Sequence, residues 1–589
     1  MKDFFKMVLA VICGILILCV LTSILMMGIF SASLAAGSSA PALPKSGAVL
    51  KIDLSKVTFG EQTKEDNPFG SMDPASLLSG GVADVETIGI WDAVQAIHQA
   101  AEDPAVKYIY LRTDGNSTGV TALGEVREAL KQFRATSGKP VVAYMENPTT
   151  GSYYFASVAD KIYMSSYVGA DSRILGVSTQ MFFLGDLLKR FGVNMQLIRH
   201  GKYKSAGEMY IRNSASPENR EQYQRMVNST WETLGTQIAE ARGITIEDLN
   251  SLIDDLKLNF PQDFIDSKLA DELLSRQGLE DKLAALAVVD KYKDIKWISL
   301  PDYADAKLVP SKARQKIAVI YAEGEIVDGT AKTNMAGDRF ASVISKVRAD
   351  STVKAVVLRV NSPGGSVFAS EKIKAELDLL KAEKPLIASY GEYAASGGYW
   401  ISNNADKIFS DATTLTGSIG VFGLVPDFSK TAKEVASVGV EAISSHKHGD
   451  MFGLMRPFDP EEYSYMLASI EDIYDHFTTI VSEGRGIPKE TVDAIGQGRV
   501  WTGADALQIN LVDEIGTLED AIRYAAVAAG EADLDKWNVK GYPAPPTMME
   551  QMFDLLGKNS GDENVLVAAF KRFTTPQVLA RMDNDIRIQ

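Results

Sequence analysis

Two glycine-containing segments in the second half of the chain have the composition of a catalytic site. Residues 361–365 (NSPGG) follow the apolar run 355–360, and Ser396 lies in the small-residue segment 394–399 (AASGGY), shortly after the apolar run 386–390. A Pro-Gly-Gly turn can point backbone N–H groups outward, because glycine adopts dihedral angles that other residues avoid. A serine beside free N–H groups at a helix end is well placed as a nucleophile next to an oxyanion site. An ordinary strand-to-helix turn and an N-cap serine are the structural alternatives.

A nucleophilic serine needs a base, and the sequence offers a lysine more readily than a histidine. None of the five histidines has a spacing that indicates a His–Asp pair, although triad members can lie far apart in sequence. Lys204 lies among small and aromatic residues in the segment 201–207 (GKYKSAG). A lysine can act as a base when burial lowers its pKa. The corresponding stretch of the second half, around residues 448–452, has no lysine. A solvated surface lysine is the alternative interpretation.

The two halves of the chain resemble each other, so the elements that position these residues occur twice. Residues 106–112 match residues 353–359 at an offset of 247, and later matches keep their order while the offset falls to 242. Ordered matches of this kind indicate a duplicated domain. Where the second copy has Ser396, the first has Thr150, and one glycine is lost. This divergence favours a catalytic role for Ser396 over a capping role.

Each copy alternates apolar runs with stretches of helical periodicity. The predicted strands are residues 49–54, 108–111 and 141–144 in the first copy and 317–321, 355–360 and 386–390 in the second. The predicted helices are residues 91–101 and 123–133, and residues 340–347 and 372–381. Because strands buried on both faces and alternating with helices are typical of parallel sheets, we predict an α/β fold.

Composition excludes several classes of function. The chain has 589 residues, room for several domains of about 150 residues. Its net charge of -16 predicts no binding to nucleic acid, since a phosphate backbone would be repelled. The only cysteines, Cys13 and Cys19, lie in the apolar N-terminal run, and no HExxH pair occurs. Cysteine-protease and metalloprotease chemistry is therefore excluded, and we expect no metal and no other cofactor.

The N-terminus contains a predicted membrane anchor. Residues 7–30 carry no charge and follow Lys2 and Lys6. As a helix this segment would be roughly 36 Å long, enough to cross a hydrocarbon core of about 30 Å. A cleaved signal peptide is the alternative, although its apolar core would usually be shorter. The preceding lysines place the N-terminus in the cytoplasm and the body of this single-pass protein across the membrane.

Four ordered motifs resemble those of the signal peptide peptidase A (protease IV) family. They are residues 203–206 (YKSA), 361–365 (NSPGG), 395–399 (ASGGY) and 416–420 (TGSIG). The resemblance implies a Ser/Lys-dyad serine peptidase, built as a tandem duplication of a Clp protease/crotonase-like domain behind a single transmembrane helix. It implies Ser396 as nucleophile, Lys204 as general base, Ser418 as the residue that orients the lysine amine, and the Gly365 and Gly397 N–H groups as the oxyanion hole. It also implies a homotetramer on the outer face of the bacterial cytoplasmic membrane that degrades remnant signal peptides.

These observations predict four segments and one function. The segments are the anchor and tether (1–45), the repeat that supplies the lysine (46–310), the repeat that supplies the serine (311–545) and a C-terminal tail (546–589). The predicted function is membrane-anchored serine endopeptidase. One alternative is a catalytically silent membrane scaffold, which would have no reason to keep a serine and a lysine in complementary halves. The other is a crotonase-type acyl-CoA enzyme, which would need a positioned carboxylate base and a cytoplasmic supply of CoA substrates.

Overall fold

The computed structural model describes residues 43–64, 85–115, 118–169, 172–331, 334–545, 577–582 and 587–588. The predicted transmembrane segment at residues 7–30 and most of the predicted tail at 546–589 lie outside these ranges. Within the ranges, no helix combines the length and the apolarity that crossing a bilayer requires.

In the first half, the apolar runs form the buried strands of a six-stranded parallel sheet of order β10-β1-β4-β5-β6-β9. The strands are β1 (Ala48–Asp53), β2 (Val57–Gly60), β3 (Glu86–Gly89), β4 (Val106–Arg112), β5 (Val141–Met145), β6 (Lys161–Ser165), β7 (Val177–Ser178), β8 (Asn194–Arg199), β9 (Glu272–Leu274) and β10 (Lys296–Ser299). The helices are α1 (Ile90–Glu102), α2 (Val120–Ser137), α3 (Thr150–Ala156), α4 (Gly185–Arg190), α5 (Glu208–Ile211), α6 (Pro217–Arg242), α7 (Ile246–Asp254), α8 (Pro261–Asp266), α9 (Arg276–Ala287) and α10 (Leu300–Lys307). Apolar side chains pack on both faces of the sheet, as parallel sheets require.

The second half builds an eight-stranded sheet with apolar clusters of its own. Its strands are β11 (Lys316–Glu323), β12 (Ile326–Val327), β13 (Met335–Ala336), β14 (Val353–Ser362), β15 (Gly364–Ser366), β16 (Leu386–Ala395), β17 (Lys407–Ser410), β18 (Leu415–Gly417), β19 (Phe422–Asp427), β20 (Val500–Thr502), β21 (Glu514–Ile515) and β22 (Asn538–Tyr542). Its helices are α11 (Gly337–Ala349), α12 (Val367–Lys381), α13 (Gly397–Ser402), α14 (Pro460–Arg485), α15 (Lys489–Ile495), α16 (Gly503–Gln508) and α17 (Leu518–Ala528). Two further strands, β23 (Gln577–Arg581) and β24 (Arg587–Ile588), follow.

The internal repeat is visible in the order of the strands. The order β10-β1-β4-β5-β6-β9 of the first half corresponds to β22-β11-β14-β16-β17-β21 in the second. The longest helices of the described ranges, α6 and α14, have 26 residues each and are followed by the C-cap residues Gly243 and Gly486, both with φ of 64°. The fold is therefore α/β and duplicated, while the exact segment boundaries stay a prediction.

A third sheet crosses between the halves. Its order is β13-β12-β15-β23-β19-β8, so that a strand of the first half, β8, closes a sheet that otherwise belongs to the second half and the C-terminal segment. β8 pairs antiparallel with β19 over six residue pairs, from Phe422–Arg199 to Asp427–Asn194. This pairing carries the residues that follow β8, Lys204 among them, into the second half.

A buried ion-pair cluster also joins the halves. The Arg359 guanidinium on β14 donates to the Glu61 carboxylate at 2.7 Å and to the Glu125 carboxylate at 2.5 Å. All three side chains are buried, and Glu61 also accepts from Asn361 Nδ2 at 2.9 Å. Removing one partner of such a cluster leaves a buried charge without compensation, which is strongly destabilising. The cluster thereby fixes the first half against the strand that leads into the Pro-Gly-Gly segment.

Glu392, which contacts Thr121 of the first half, is expected to make the stability of the chain depend on pH. Burial raises its pKa to about 7, against the opposing effect of hydrogen bonds from Thr121 of the first half. Because the folded chain then holds a proton that the unfolded chain releases near pH 4.5, the free energy of unfolding falls as pH rises from about 4.5 to about 7. We expect Glu392→Gln to reduce this loss of unfolding free energy by up to ~3 kcal/mol. Urea denaturation at pH 5 and at pH 8 measures the free energy of unfolding of both chains.

The matched control is Glu240→Gln, which replaces an exposed glutamate on α6. It should keep the pH dependence of the wild type. Equal slopes for the Glu392 and Glu240 variants would show that the Glu392 carboxyl does not titrate between these pH values in the folded chain.

Candidate active site

Ser396 stands at a sharp turn between a strand and a helix. β16 ends at Ala395 and α13 begins at Gly397, and Ser396 between them has φ 56° and ψ -112°. Residues other than glycine rarely adopt this conformation, which concentrates at functional sites. The serine side chain makes no capping hydrogen bond to α13, so the capping alternative is wrong. The turn has the strand–serine–helix geometry of a nucleophile elbow.

The first half keeps the ordinary form of the same turn. The residue at the N-cap position of α3 is Thr149, not the predicted Thr150, and its hydroxyl accepts from the Ser152 N–H. Ser152 completes a capping box by accepting from the Thr149 N–H at 2.8 Å. The two copies therefore use the same position differently. Thr149 in the first copy caps a helix, whereas the hydroxyl of Ser396 in the second copy makes no capping bond and contacts another residue.

That partner is Lys204, which reaches the serine from the first half. Lys204 Nζ lies 2.7 Å from Ser396 Oγ, 3.0 Å from Ser418 Oγ and 3.1 Å from Ser418 O. Lys204 and Ser418 are 1% exposed and Ser396 is 0% exposed. The structure thus brings together three of the predicted site residues, although 192 residues separate Lys204 from Ser396.

The three contacts fit both charge states of the lysine. As an ammonium ion, Lys204 Nζ donates to all three oxygens. As a neutral amine, with two N–H donors and one lone pair, it keeps the two bonds to Ser418 and accepts from the Ser396 hydroxyl. The Ser418 hydroxyl donates to Gly498 O at 3.4 Å, which leaves its oxygen able to accept from the amine. Burial among neutral oxygens disfavours an ammonium ion relative to an amine. The site can therefore move a proton from Ser396 Oγ to Lys204 Nζ.

The Pro-Gly-Gly segment lies against the serine turn, where only glycine fits. A Cβ on Gly364 would lie 2.5 Å from Gly397 N, and a Cβ on Gly397 would lie 3.1 Å from Gly365 N. The Gly364 N–H already donates to Ser362 Oγ at 3.2 Å. The backbone nitrogen of Gly365 therefore lies close to Gly397, the residue that follows Ser396.

Two residues that hold Lys204 in place were not predicted. Gly498 packs directly on the lysine backbone, because a Cβ at Gly498 would lie 2.5 Å from Lys204 Cβ. Gln222 on α6 donates to Tyr203 O at 3.1 Å and to Ser205 Oγ at 2.9 Å, on either side of the lysine. The only sequence signal was the pair of glycines in residues 495–499 (IGQGR). Glycine pairs occur in many turns, so this signal alone does not identify a positioning residue.

For the peptidase activity that the sequence predicts, we expect Gly498→Ala to lower kcat/KM by about 100-fold, because a displacement of Lys204 by about 1 Å breaks the contact with Ser396. Progress curves with a fluorogenic peptide measure it. Gly530→Ala is the control, since Gly530 also has a positive φ (95°, against 84° at Gly498) but open space around its Cβ position. Equal losses in both variants would attribute the effect to backbone strain and not to Lys204.

Among the residues that the structure describes, one group of side chains has ligand atoms close enough for a metal ion. His448, Asp459 and Glu462 lie within 4.8 Å of one another. The Glu462 carboxylate, however, accepts from Arg456 at 2.6 and 2.7 Å, and Asp459 caps α14. A guanidinium already neutralises the group, so its donor set fits an ion-pair network better than a metal.

Comparison with known proteins connects this geometry to a family. Residues 133–290 and 378–531 each match the sequence model of Peptidase family S49. Protease 4 of Haemophilus influenzae is 37% identical over 74% of this chain and 72% of its own length. The chloroplastic serine protease SPPA of Arabidopsis thaliana is 30% identical over 82% of this chain and 72% of its own. A structure of a ClpP1 mutant from Listeria monocytogenes covers 35% of this chain and 94% of its own, with 15% identity and a TM-score of 0.24.

The two matched segments are one in each repeat, the first containing Lys204 and the second Ser396 and Ser418. The Clp protease/crotonase assignment of the domains stays a prediction. The family assignment rests on the two matches to the family model, and the duplication rests on the repeated strand order. The chain belongs to peptidase family S49.

Proposed function

We propose that the chain is a serine endopeptidase in which Ser396 is the nucleophile and Lys204 its general base. The observation that carries the proposal is the 2.7 Å contact between Lys204 Nζ and Ser396 Oγ in a buried site. Membership of a peptidase family and a relative named as a serine protease support it.

The reaction is acyl transfer in two stages. Neutral Lys204 takes the proton of Ser396 while Oγ attacks the scissile carbonyl carbon of the peptide. The lysine then donates this proton to the leaving amine, which departs and leaves an ester on Ser396. A water molecule, deprotonated by the same lysine, attacks the ester carbon; the bond between this carbon and Ser396 Oγ breaks, the lysine returns the proton to Oγ, and the carboxylic acid product is released. Ser418 keeps the amine directed at Ser396 through both stages.

The developing oxyanion needs donors that are in place before the reaction. We assign this role to the Gly365 and Gly397 N–H groups. The close approach of the Pro-Gly-Gly segment to the start of α13 supports this assignment. Gly364 packs so closely against Gly397 N that the Gly364 position admits no side chain. Donors on the rigid ends of β15 and α13 need no reorganisation when charge develops.

The proposed substrates are remnant signal peptides, bound as extended strands in the membrane environment. An extended peptide that takes the place of β23 beside β15 gains backbone hydrogen bonds from β15, and pockets for alternate side chains give selectivity. The apolar segment at residues 7–30 supports anchoring in the bacterial cytoplasmic membrane with the catalytic body on its outer face. The homotetramer that the family resemblance implies belongs to the same proposal.

The test uses the full chain in detergent micelles with a signal-like apolar peptide of about 20 residues and a charged peptide of equal length. Mass spectrometry of the products should show cleavage of the apolar peptide by the wild type and none by Ser396→Ala. Cleavage of neither peptide by the wild type would contradict the peptidase. Equal cleavage of both peptides would leave the peptidase standing and reject the substrate class.

A further inference from the structure

The short segment between α15 and β20 binds the loops of two site residues at once. The Tyr203 N–H donates to Gln497 O at 3.0 Å, and the Ser418 N–H donates to Arg499 O at 2.7 Å. Tyr203 directly precedes Lys204, so the first of these bonds belongs to the lysine loop of the first half. The position of this segment therefore decides whether the lysine amine reaches the Ser418 oxygens.

The Arg499 side chain adds a second connection to the lysine loop. Its guanidinium carbon lies 4.9 Å from the centroid of the Tyr203 ring and 4.4 Å from that of the Trp501 ring. Both distances fall in the range of cation–π contacts, which gain strength where water is excluded. The Arg499 side chain is only 17% exposed. The arginine thus joins a ring next to Lys204 in the first half to a ring on β20 of the second.

Glu221 on α6 closes this group of side chains. Its carboxylate pairs with Arg499 Nη2 at 2.9 Å and accepts from the Tyr203 hydroxyl at 2.7 Å. The hydrogen bond from Tyr203 and the charge of Arg499 hold the pKa of the Glu221 carboxyl below its ordinary value, so the pair stays charged at neutral pH. Because the Glu221 side chain is 52% exposed, the ion pair alone contributes little to stability. The contacts of the guanidinium with the two rings therefore matter more, and the carboxylate orients it.

We propose that Arg499, through its contacts with the Tyr203 and Trp501 rings, is a positioning residue that holds the Lys204 amine at Ser396. This inference rests on the proposed function. Arg499 acts through the lysine and transfers no proton itself, since a guanidinium stays protonated in proteins. Its planar shape lets it lie on aromatic rings and pair with a carboxylate at the same time, which the compact ammonium of a lysine cannot do.

Separate measurement of kcat and KM for the full-length Arg499→Leu variant, with a fluorogenic peptide, tests the proposal. We expect kcat to fall about 30-fold, because a shift of the lysine by less than 1 Å already weakens its contact with the serine. KM should stay within about 3-fold of the wild type, since the lysine acts in the transition state and not in substrate binding. An unchanged kcat would overturn the role of Arg499 and leave the proposed function intact. A wild type that hydrolyses no peptide would overturn both.

Arg225→Leu is the matched control. Arg225 on α6 also joins the two halves, through an ion pair with Asp505 at 2.6 and 3.0 Å. Its kcat should stay within about 3-fold of the wild type, because this ion pair does not hold the lysine loop. Equal losses of kcat in the two variants would show that any arginine between the halves has this effect and would overturn the specific role of Arg499.

Two further variants separate positioning from support of the fold. In a Lys204→Met background, Arg499→Leu should lower kcat by less than about 3-fold, because a positioning residue loses its effect once the group it positions is gone. A full further loss there would overturn the proposal. Arg499→Lys keeps the charge and serves as the test if the leucine variant does not fold. We expect it to lose about 10-fold in kcat, since an ammonium cannot lie flat on both rings. A wild-type kcat in Arg499→Lys would overturn the proposal, because charge alone would then suffice.

Discussion

Replacing Ser396 with alanine is expected to lower kcat/KM for a peptide substrate by about 10⁶-fold, the scale at which loss of the nucleophile acts in serine peptidases. The fold should survive. The Ser396 side chain caps no helix, and the strained backbone at this turn already accommodates a Cβ. We therefore expect a Tm within a few degrees of the wild type, so that lost activity is not lost folding.

Ser402→Ala provides the control for the Ser396 variant. Ser402 is a buried serine at the end of α13, the helix that follows Ser396, and its hydroxyl donates to Gly398 O at 2.8 Å and contacts Tyr390 Oη at 2.9 Å. We expect a measurable loss of stability but a kcat/KM within about 10-fold of the wild type, because no catalytic proton passes through it. Comparable losses of activity in both variants would show that any buried serine at either end of α13 matters and would reject Ser396 as the nucleophile.

Lys204→Met should lower kcat/KM by about 10⁴-fold, the upper end of what a general base contributes. Methionine keeps the length of the buried side chain and removes the amine, so the stability of the chain should be unchanged or higher. For the wild type, kcat/KM should rise with pH as the base loses its proton. The variant should lose this rise along with its rate.

Lys202→Met is the matched control for the lysine, since Lys202 lies two residues away and is exposed. Its rate and pH profile should equal those of the wild type. If Lys204→Met kept the wild-type pH profile at a reduced rate, the proton acceptor would be another group and Lys204 would only position the serine.

The sequence identifies the local parts of this site well. The NSPGG segment, the serine at a strand end and the lysine in a small-residue loop all reflect local requirements of the backbone. Strand limits were less accurate where polar residues continue a strand. β14 extends through Asn361 and Ser362, beyond the predicted end at Val360, because neighbouring strands supply hydrogen-bond partners there.

What could not be predicted are contacts between distant segments. The pairing of β8 with β19 delivers Lys204 to Ser396, yet neither strand carries a pattern that specifies the other. The Arg359 cluster joins charges that are far apart in sequence and individually ordinary. Gly498 matters only because Lys204 packs on it. The segment 577–581 was predicted only as part of a tail, since a strand added to the edge of another sheet takes its conformation from that edge.

The most direct test of the account is a double-mutant cycle on peptide hydrolysis, with Ser396→Ala, Lys204→Met and the double variant. Two residues that act as one catalytic unit give strongly non-additive losses. We predict that the double variant loses no more than about 10-fold beyond Ser396→Ala alone. Losses that multiply, so that the double variant falls by the product of the two single effects, would contradict a dyad assembled from the two halves of the chain.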